Sequence, residues 1–539
     1  MTPATATAAP EAEAPPTGNP AAPGTPPALP AFAADLATGV CGTAAPLHPT
    51  SPLTGEPTVL MPGSNASDVE AAFTAAKAAQ RDWADTPVSR RAAIMLRLHD
   101  LILDRQAEGL DLVQLEAGKA RRHAVEEVLD CAINARYYAR TAAKALRAHR
   151  RGGALPVLTR TRELRFPIGV VGVISPWNYP LALATAEVIP ALMAGNAVVH
   201  RPDPAGMLSA LWVRSLAIEA GLPAEVWQVV CGEGTLIGPL ITGLADQVSF
   251  TGSTRVGREV AAEAARRLVP ASLELGGKNP LVVLDDTDLA KAVEGAIRGC
   301  FASAGQLCMS IERIYVPQSR YDEFLARFVE RTAALRLGIG GDFDADMGSL
   351  ASARQLDTVT AHLTEAVAAG ATVQTGGRHR PDIGPFVFEP TIVTGVTPGM
   401  RMFAEETFGP VVAVYPYADV EEAVRLANDS AYGLNAAVFS GDNRRGEAVA
   451  ARIEAGAVNV NDGYAAAWGS IDAPSGGWKS SGLGGRHGVD GLLRFTRVKT
   501  VALQRGMDLA PRYQRPGAES AAWLKRMTFA LRLLRRSGL

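Results

Sequence analysis

"GVVGVIS", residues 169–175, is an unbroken apolar run rich in β-branched residues. A strand with water on one face alternates, so an unbroken run predicts a strand buried on both faces. Three further segments have the same character. "PALMAGNAVVHRP" (190–202) holds a helix end, a Gly195-Asn196 turn and a short strand over Ala197–His200. "VWQVVCG" (226–232) and "QVSFTGS" (247–253) read as two more strands. Helical patterns lie between them, including 207–220 and 254–267. Strands alternating with helices predict an α/β fold with a parallel, doubly wound sheet.

Upstream, "SDVEAAFTAAKAAQRDW" (67–83) begins a helical pattern with Ser67 as its expected N-cap, and helical periodicity continues to about residue 147. Downstream, "NPLVVLDD" (279–286) opens a second set of β and α elements running to about residue 460. Residues 1–30, rich in Ala, Pro and Thr, are expected to form a disordered tail. They contain no Lys or Arg, which argues against a signal or transit peptide and makes cytoplasmic localisation the expectation.

A chain of 539 residues, 47% hydrophobic and 20% charged, should form two or three soluble domains. Its net charge of −2 gives no field that would draw it to nucleic acid. No run of 18 apolar residues predicts a membrane span. At the far end, "AAWLKRMTFALRLLRR" (521–536) reads as a basic amphipathic helix. Docking on its own domain or a neighbouring subunit is the expected use. Peripheral contact with an anionic membrane surface is the alternative.

Five cysteines stand at Cys41, Cys131, Cys231, Cys300 and Cys308, with no C-x2-C pair. The spacing predicts neither a metal site nor a disulfide framework. Cys308, in "SAGQLCMS" (303–310), would alone be a small buried hydrophobe. Its neighbours in sequence suggest chemistry. "LELGGKNP" (273–280) sets Glu274 before a glycine turn, and "SPWNYP" (175–180) sets Asn178 after a strand, where an amide could donate to an oxyanion. "SFTGSTRVG" (249–257) puts Gly252 and Ser253 near a helix N-terminus, where backbone N–H groups hold phosphate. "EETFGPV" (405–411) places Glu406 and Phe408 before a strand.

These segments, with "AGNAVV" (194–199), "GQLC" (305–308) and "SGGWKSSGLGGRHG" (475–488), resemble the aldehyde dehydrogenase superfamily, in order, over about residues 45–504. The resemblance implies NAD(P)-dependent oxidation of an aldehyde to a carboxylic acid. Cys308 would be the nucleophile, Asn178 and the Cys308 N–H the oxyanion donors, and Glu274 the base that activates water. It implies that Trp177 and Ser253 help hold the adenine nucleotide and pyrophosphate, that Glu406 binds the nicotinamide ribose, and that Phe408 lies against the nicotinamide ring. Lys278 and Lys479 match family lysines with supporting roles. The ribose segment reads "RPDP" (201–204), with Arg201 and Pro204 where the family has lysine and glutamate. This gives a slight lean to NADP over NAD, since Arg201 could pair with a 2′-phosphate, while Asp203 could repel it or accept a 2′-hydroxyl.

"CFASAGQLCMSIERIYV" (300–316), with "RPDP", looks most like an actinobacterial-type branch of succinate-semialdehyde dehydrogenases. The two arginines that clamp the distal carboxylate in well-known enzymes of that activity correspond by spacing to Ala186 and Ala302. Ala182, Leu183, Ala186, Ala302, Leu307 and Met309 suggest a roomier, apolar substrate tunnel, with Arg313 close in sequence. The expectation is therefore poor use of succinate semialdehyde and at least comparable use of uncharged aliphatic or aromatic aldehydes. Ser475 replaces the family aromatic, and Ser310 removes a second cysteine. A CoA-acylating relative is disfavoured by Glu274. A non-catalytic protein on the same fold is disfavoured by the intact Cys308, Glu274 and Asn178.

The implied domains are a cofactor-binding domain (31–145 and 165–273), a catalytic domain (274–491), and a small β arm (146–164 and 492–504) that pairs subunits into dimers or tetramers. Residues 505–539 form a C-terminal extension.

Overall fold

The 169–175 run forms the strand Val170–Ser175, and all six of its residues are buried. In this computed structural model, which describes residues 18–22, 24–153, 155, 158–505, 510, 513 and 516–537, it lies inside a six-stranded sheet. On one side it pairs in parallel with Ala197–Pro202, which pairs with Trp227–Val229. On the other it pairs in parallel with Gln247–Thr251, which pairs with Ala271–Glu274. Chain order therefore reverses between Val170–Ser175 and Gln247–Thr251. Open α/β sheets leave a crevice at the carboxyl ends of the strands at such a reversal.

The crossovers are the helices Pro180–Met193, Met207–Glu219, Gly234–Leu244 and Thr254–Arg266. Pro180 opens the first, where its missing N–H would have had no intrahelical partner. Thr254–Arg266 buries only Gly257, Val260 and Ala264, a narrow stripe at helical spacing. The helix ahead of the sheet, Ala66–Asp85, is capped by Asn65 rather than Ser67. The Asn65 side chain accepts from the Asp68 N–H, and Asp68 accepts from the Asn65 N–H, a reciprocal box that Ser67 cannot make from inside the first turn.

A second, seven-stranded sheet runs in the order 372–375, 391–394, 411–417, 311–317, 279–283, 435–439, 457–460, parallel except for its first strand. Leu281 and Val283 face one core, Val282 and Leu284 the other. The two-residue period of a strand puts helices to work on both faces.

A third sheet is antiparallel and joins His149–Arg151, Thr159–Pro167 and Thr496–Gln504. Thr496–Gln504 and His149–Arg151 are its two edges, and Thr496–Gln504 is exposed over almost its whole length.

Two observations depart from the expected domain limits. Gly482–Leu483, within 274–491, adds antiparallel to the edge strand Ala271–Glu274 of the first sheet. Residues 18–22 and 24–30, expected to be disordered, have defined places. The Asn19 amide donates to the carbonyls of Thr332 and Leu335, and Ala22 N–H donates to Leu337 O. A segment with too few large apolar side chains to build a core can still hydrogen-bond to carbonyls at a helix end, here at and just past the end of Tyr321–Ala333. The rest of that tail, residues 1–17, lies outside the described residues. The helix expected in the C-terminal extension spans Gly517–Ser537, with Met527 buried while Leu524, Phe529, Leu531 and Leu533 are exposed. Among the described residues no helix is long and apolar enough to cross a membrane.

Candidate active site

The crevice at the sheet reversal opens into a cleft of about 940 Å³, near the upper end of the range for ligand sites. Its walls include Trp177, Asn178, Leu183, Arg201, Gly252, Ser253, Glu274, Cys308, Glu406 and Phe408. Ten residues expected from separate motifs thus share one cavity. Ala182, Ala186 and Ala302 are packed and buried instead, and Leu307 and Met309 flank Cys308 half-buried, outside this cleft.

Cys308 sits in a tight loop before the strand Ile311–Pro317. Ser303 and Ala304 adopt left-handed φ of 50° and 54°, and Gly305 follows at 70°. A Cβ on Gly305 would stand 2.1 Å from Gly409 O, so only glycine lets this loop touch the segment carrying Phe408. Gln306 ties the loop down: its amide donates to Ser303 O and Ser349 O, and its carbonyl accepts from Ala351 N–H. The Asn279 amide donates to Cys308 O at 2.8 Å.

Asn178 is buried, and its amide donates to Gln306 O at 3.0 Å, two residues before the cysteine. It is held from behind. Lys119 is buried and donates to Asn178 O and to Glu127, whose other oxygen accepts from Leu181 N–H and Ala182 N–H at the helix start. Lys119 and Glu127 had no sequence signal, because a lone Lys and Glu on a helical stretch read as surface charges.

Glu274 ends its strand facing the cleft, and one of its carboxyl oxygens is buried without a hydrogen-bond partner. Burial raises its pKa, with Arg486 opposing. Burial also pushes the Cys308 thiol up to about 12; Arg486 pulls it down, while Glu406 and Glu274 push it further up. Glu406 turns onto the Gly276-Gly277 turn and accepts from Gly277 N–H at 2.8 Å. Burial raises its carboxyl to about 8, and Glu312 adds to the effect.

Trp177 and Phe408 meet edge to face, with centroids 5.5 Å apart, so both rings occupy the same end of the cleft. The resemblance had put them on different parts of the cofactor. Phe408 has a φ of 54°. It is fixed by Glu312, which accepts from Thr407 N–H and Phe408 N–H and pairs with Lys278 at 2.5 Å. Lys278 therefore supports the Phe408 segment. Lys479 does not reach the cleft: it pairs with Glu454 and donates to Asn428 O and Ser430 O.

Arg201 differs most from expectation. Its guanidinium donates twice to Gly232 O and once to Asp203. A 2′-phosphate would have to share it with Asp203. Arg313 is also spent, donating to the carbonyls of Lys278, Leu426 and Ala427. Neither arginine is free to clamp a substrate carboxylate.

The cleft suits a nicotinamide dinucleotide. Gly252 and Ser253 bring the N-terminus of a thirteen-residue helix to one wall, a ready anion site for a pyrophosphate. Asp203 and Arg201 stand where a ribose could be read, and Phe408 offers a ring face.

Residues 42–501 match the aldehyde dehydrogenase family. The chain belongs to that family. A relative from Mycolicibacterium smegmatis, provisionally named succinate-semialdehyde dehydrogenase [NADP(+)], is 50% identical over 483 residues, covering 90% of this chain and 93% of the relative. A 4,4′-diapolycopene aldehyde oxidase from Methylomonas sp. is 37% identical over 462 residues, 83% of each chain. Among solved structures, a point mutant of the betaine aldehyde dehydrogenase of Staphylococcus aureus in complex with NAD+ aligns with a TM-score of 0.82 at 32% identity, covering 87% of this chain and 96% of that one. As a member of the aldehyde dehydrogenase family, the chain is an enzyme of aldehyde oxidation, and its two large, mostly parallel sheets and their strand order describe an α/β fold shared with these structures.

Proposed function

We propose that this aldehyde dehydrogenase oxidises its aldehyde with NADP or NAD through a thioester on Cys308. The observation that carries the reading is the convergence of Cys308, Asn178 and Glu274 on one cleft that also holds Glu406 and Phe408. The Cys308 sulfur adds to the aldehyde carbonyl as the thiolate. The oxyanion is met by the Cys308 N–H and by Asn178, whose amide has a second N–H beyond the one on Gln306 O. The bound dinucleotide supplies the hydride acceptor. Loss of hydride leaves an acyl group on Cys308. Glu274, with one oxygen unpartnered, takes a proton from water, and the hydroxide equivalent cleaves the thioester to the carboxylic acid.

Glu274→Gln tests this. It should give a burst of about one reduced cofactor per site followed by slow turnover. Unchanged steady-state turnover without a burst would remove Glu274 from the role of base.

For the substrate we propose succinate semialdehyde together with uncharged aldehydes. The mycobacterial relative's name supports the first. The second is favoured by the alanines at 186 and 302 and by the full engagement of Arg313. A panel of succinate semialdehyde, butanal, decanal and benzaldehyde with each cofactor separates them. A low-micromolar KM for succinate semialdehyde with no butanal oxidation would overturn the broader reading. We also propose that the arm built on Thr159–Pro167 and Thr496–Gln504 pairs subunits, because an exposed edge strand offers a row of open N–H and C=O groups.

A further inference from the structure

Behind Glu274 lies a buried charge cluster that the mechanism above does not use. Arg486 comes from the glycine-rich segment after Gly482–Leu483. Its Nε donates to Glu187 at 2.7 Å, and its Nη2 donates to the Thr251 hydroxyl. Glu187, on the helix Pro180–Met193, is held from its other oxygen by Arg494 at 2.5 Å. The side chains of Glu187, Arg486 and Arg494 are each exposed by less than about a sixth.

Two features direct this cluster at the reaction. The first is register. Thr251 and Glu274 are Cα partners on neighbouring parallel strands, so their side chains point the same way about one strand spacing apart. The guanidinium that touches Thr251 is thereby brought beside the Glu274 carboxyl. The second is charge balance. Two guanidiniums share one carboxylate at ion-pair distance, Glu187, so the second positive charge is left to the acids further off, Glu274 and Asp130. Glu274 is the adjacent acid at the cleft, and a buried charge demands a partner.

We infer that Arg486, oriented by Glu187, is a positioning residue that sets where the site's negative charge resides, on the Glu274 carboxylate or on the Cys308 thiolate. This rests on the reading of Glu274 as the base. The groups that bear on Glu274 are Arg486, Arg494 and Glu187. Those that bear on Cys308 are Arg486, Glu406 and Glu274. Arg486 is common to both and opposes burial at both. Asp130, on the helix Arg121–Leu146, also feels Arg486, and burial raises its carboxyl to about 7.

The signs are opposite for the two partners. Arg486 favours the ionised carboxyl, so Arg486→Gln should raise the Glu274 pKa and move the acid limb of kcat to higher pH. Glu187 disfavours it, so Glu187→Gln should move the limb to lower pH. Each shift should be about one unit, a tenfold change in the ionised fraction on the limb. Alkylation of Cys308 by iodoacetamide, read against pH without substrate, should move to higher pH in Arg486→Gln, and Arg486→Lys should restore part of it. Opposite shifts in the two variants support the inference. If Arg486→Gln fails to fold, the direction of the Glu187→Gln shift decides. Unmoved profiles, or shifts of one sign in both variants, overturn it. So does loss of the limb in Asp130→Asn, which would assign the titration to Asp130. If Glu274→Gln turns over normally, the reading of the base fails; if Glu274→Gln stalls while the Arg486 and Glu187 profiles stay put, only this inference fails.

Discussion

Cys308→Ala should abolish oxidation yet leave cofactor binding measurable by fluorescence quenching, since only the sulfur is lost. Dehydrogenase activity persisting near the native rate would reject the covalent route. Cofactor choice turns on a single side chain as well. Asp203 accepts from Arg201 and is half-exposed to the cleft. Asp203→Ser should free that guanidinium nitrogen and remove a repelling charge, raising kcat/KM for NADP relative to NAD about tenfold. An unchanged ratio in parallel assays would show that the ribose is read elsewhere. Residues of this kind divide sharply in their legibility. Cys308, Glu274 and Asn178 were legible only together, because each alone reads as an ordinary buried, surface or turn residue and the ordered set of glycine- and proline-punctuated motifs carries the resemblance that gives them roles. Arg486 was not legible. In a glycine-rich run an arginine reads as a surface charge, and its burial is decided by Glu187, 299 residues away. Arg201 was visible as an arginine but not as one already engaged by Gly232 O, a contact made across the loop after another strand.

At the level of elements, the loop before Cys308 is the most constrained. Gly305→Ala would place a methyl group 2.1 Å from Gly409 O at a φ of 70°. The left-handed backbone alone costs alanine about 1–2 kcal/mol. The loop and the Phe408 segment would have to separate, so the variant should melt several degrees lower and lose most of its activity. A melting curve matching the native protein would show that the contact is not needed. Four strands of the first sheet were legible as short apolar runs between helical patterns, whereas Ala271–Glu274 was not, since only its glycine turn and acid drew notice. The cap at Asn65 was not, because Asn65 and Ser67 are both good cap residues, and the Asp68 carboxylate chooses between them. The place of Gly482–Leu483 in that sheet was also hidden, since a strand of two residues has no period to read.

For the whole molecule, the arm makes a direct prediction. Light scattering at micromolar concentration should give a dimer or tetramer, and a monomer would refute the proposed pairing through Thr496–Gln504. A chain without residues 1–17 supplies the reference melting temperature. Removing 1–24 should lower it, because Asn19 and Ala22 then no longer meet Thr332, Leu335 and Leu337. Equal melting of both truncated chains would show that this strap adds nothing. The composition of the tail concealed it, since low complexity speaks to apolar burial and says nothing of one well-placed amide. The pairing of Gly482 with Glu274 has a consequence in time. A ribosome delivers the strand that carries the base long before the strand that closes its edge, and Arg486 arrives later still. A nascent chain that has reached Cys308 thus carries both the thiol and Glu274 while the margin of the sheet beside the base is still open. The edge beside the base is therefore closed only after residues 482–486 have been made, and a chain cut short between Cys308 and Gly482 carries the thiol and the base but neither the strand that closes the sheet nor Arg486.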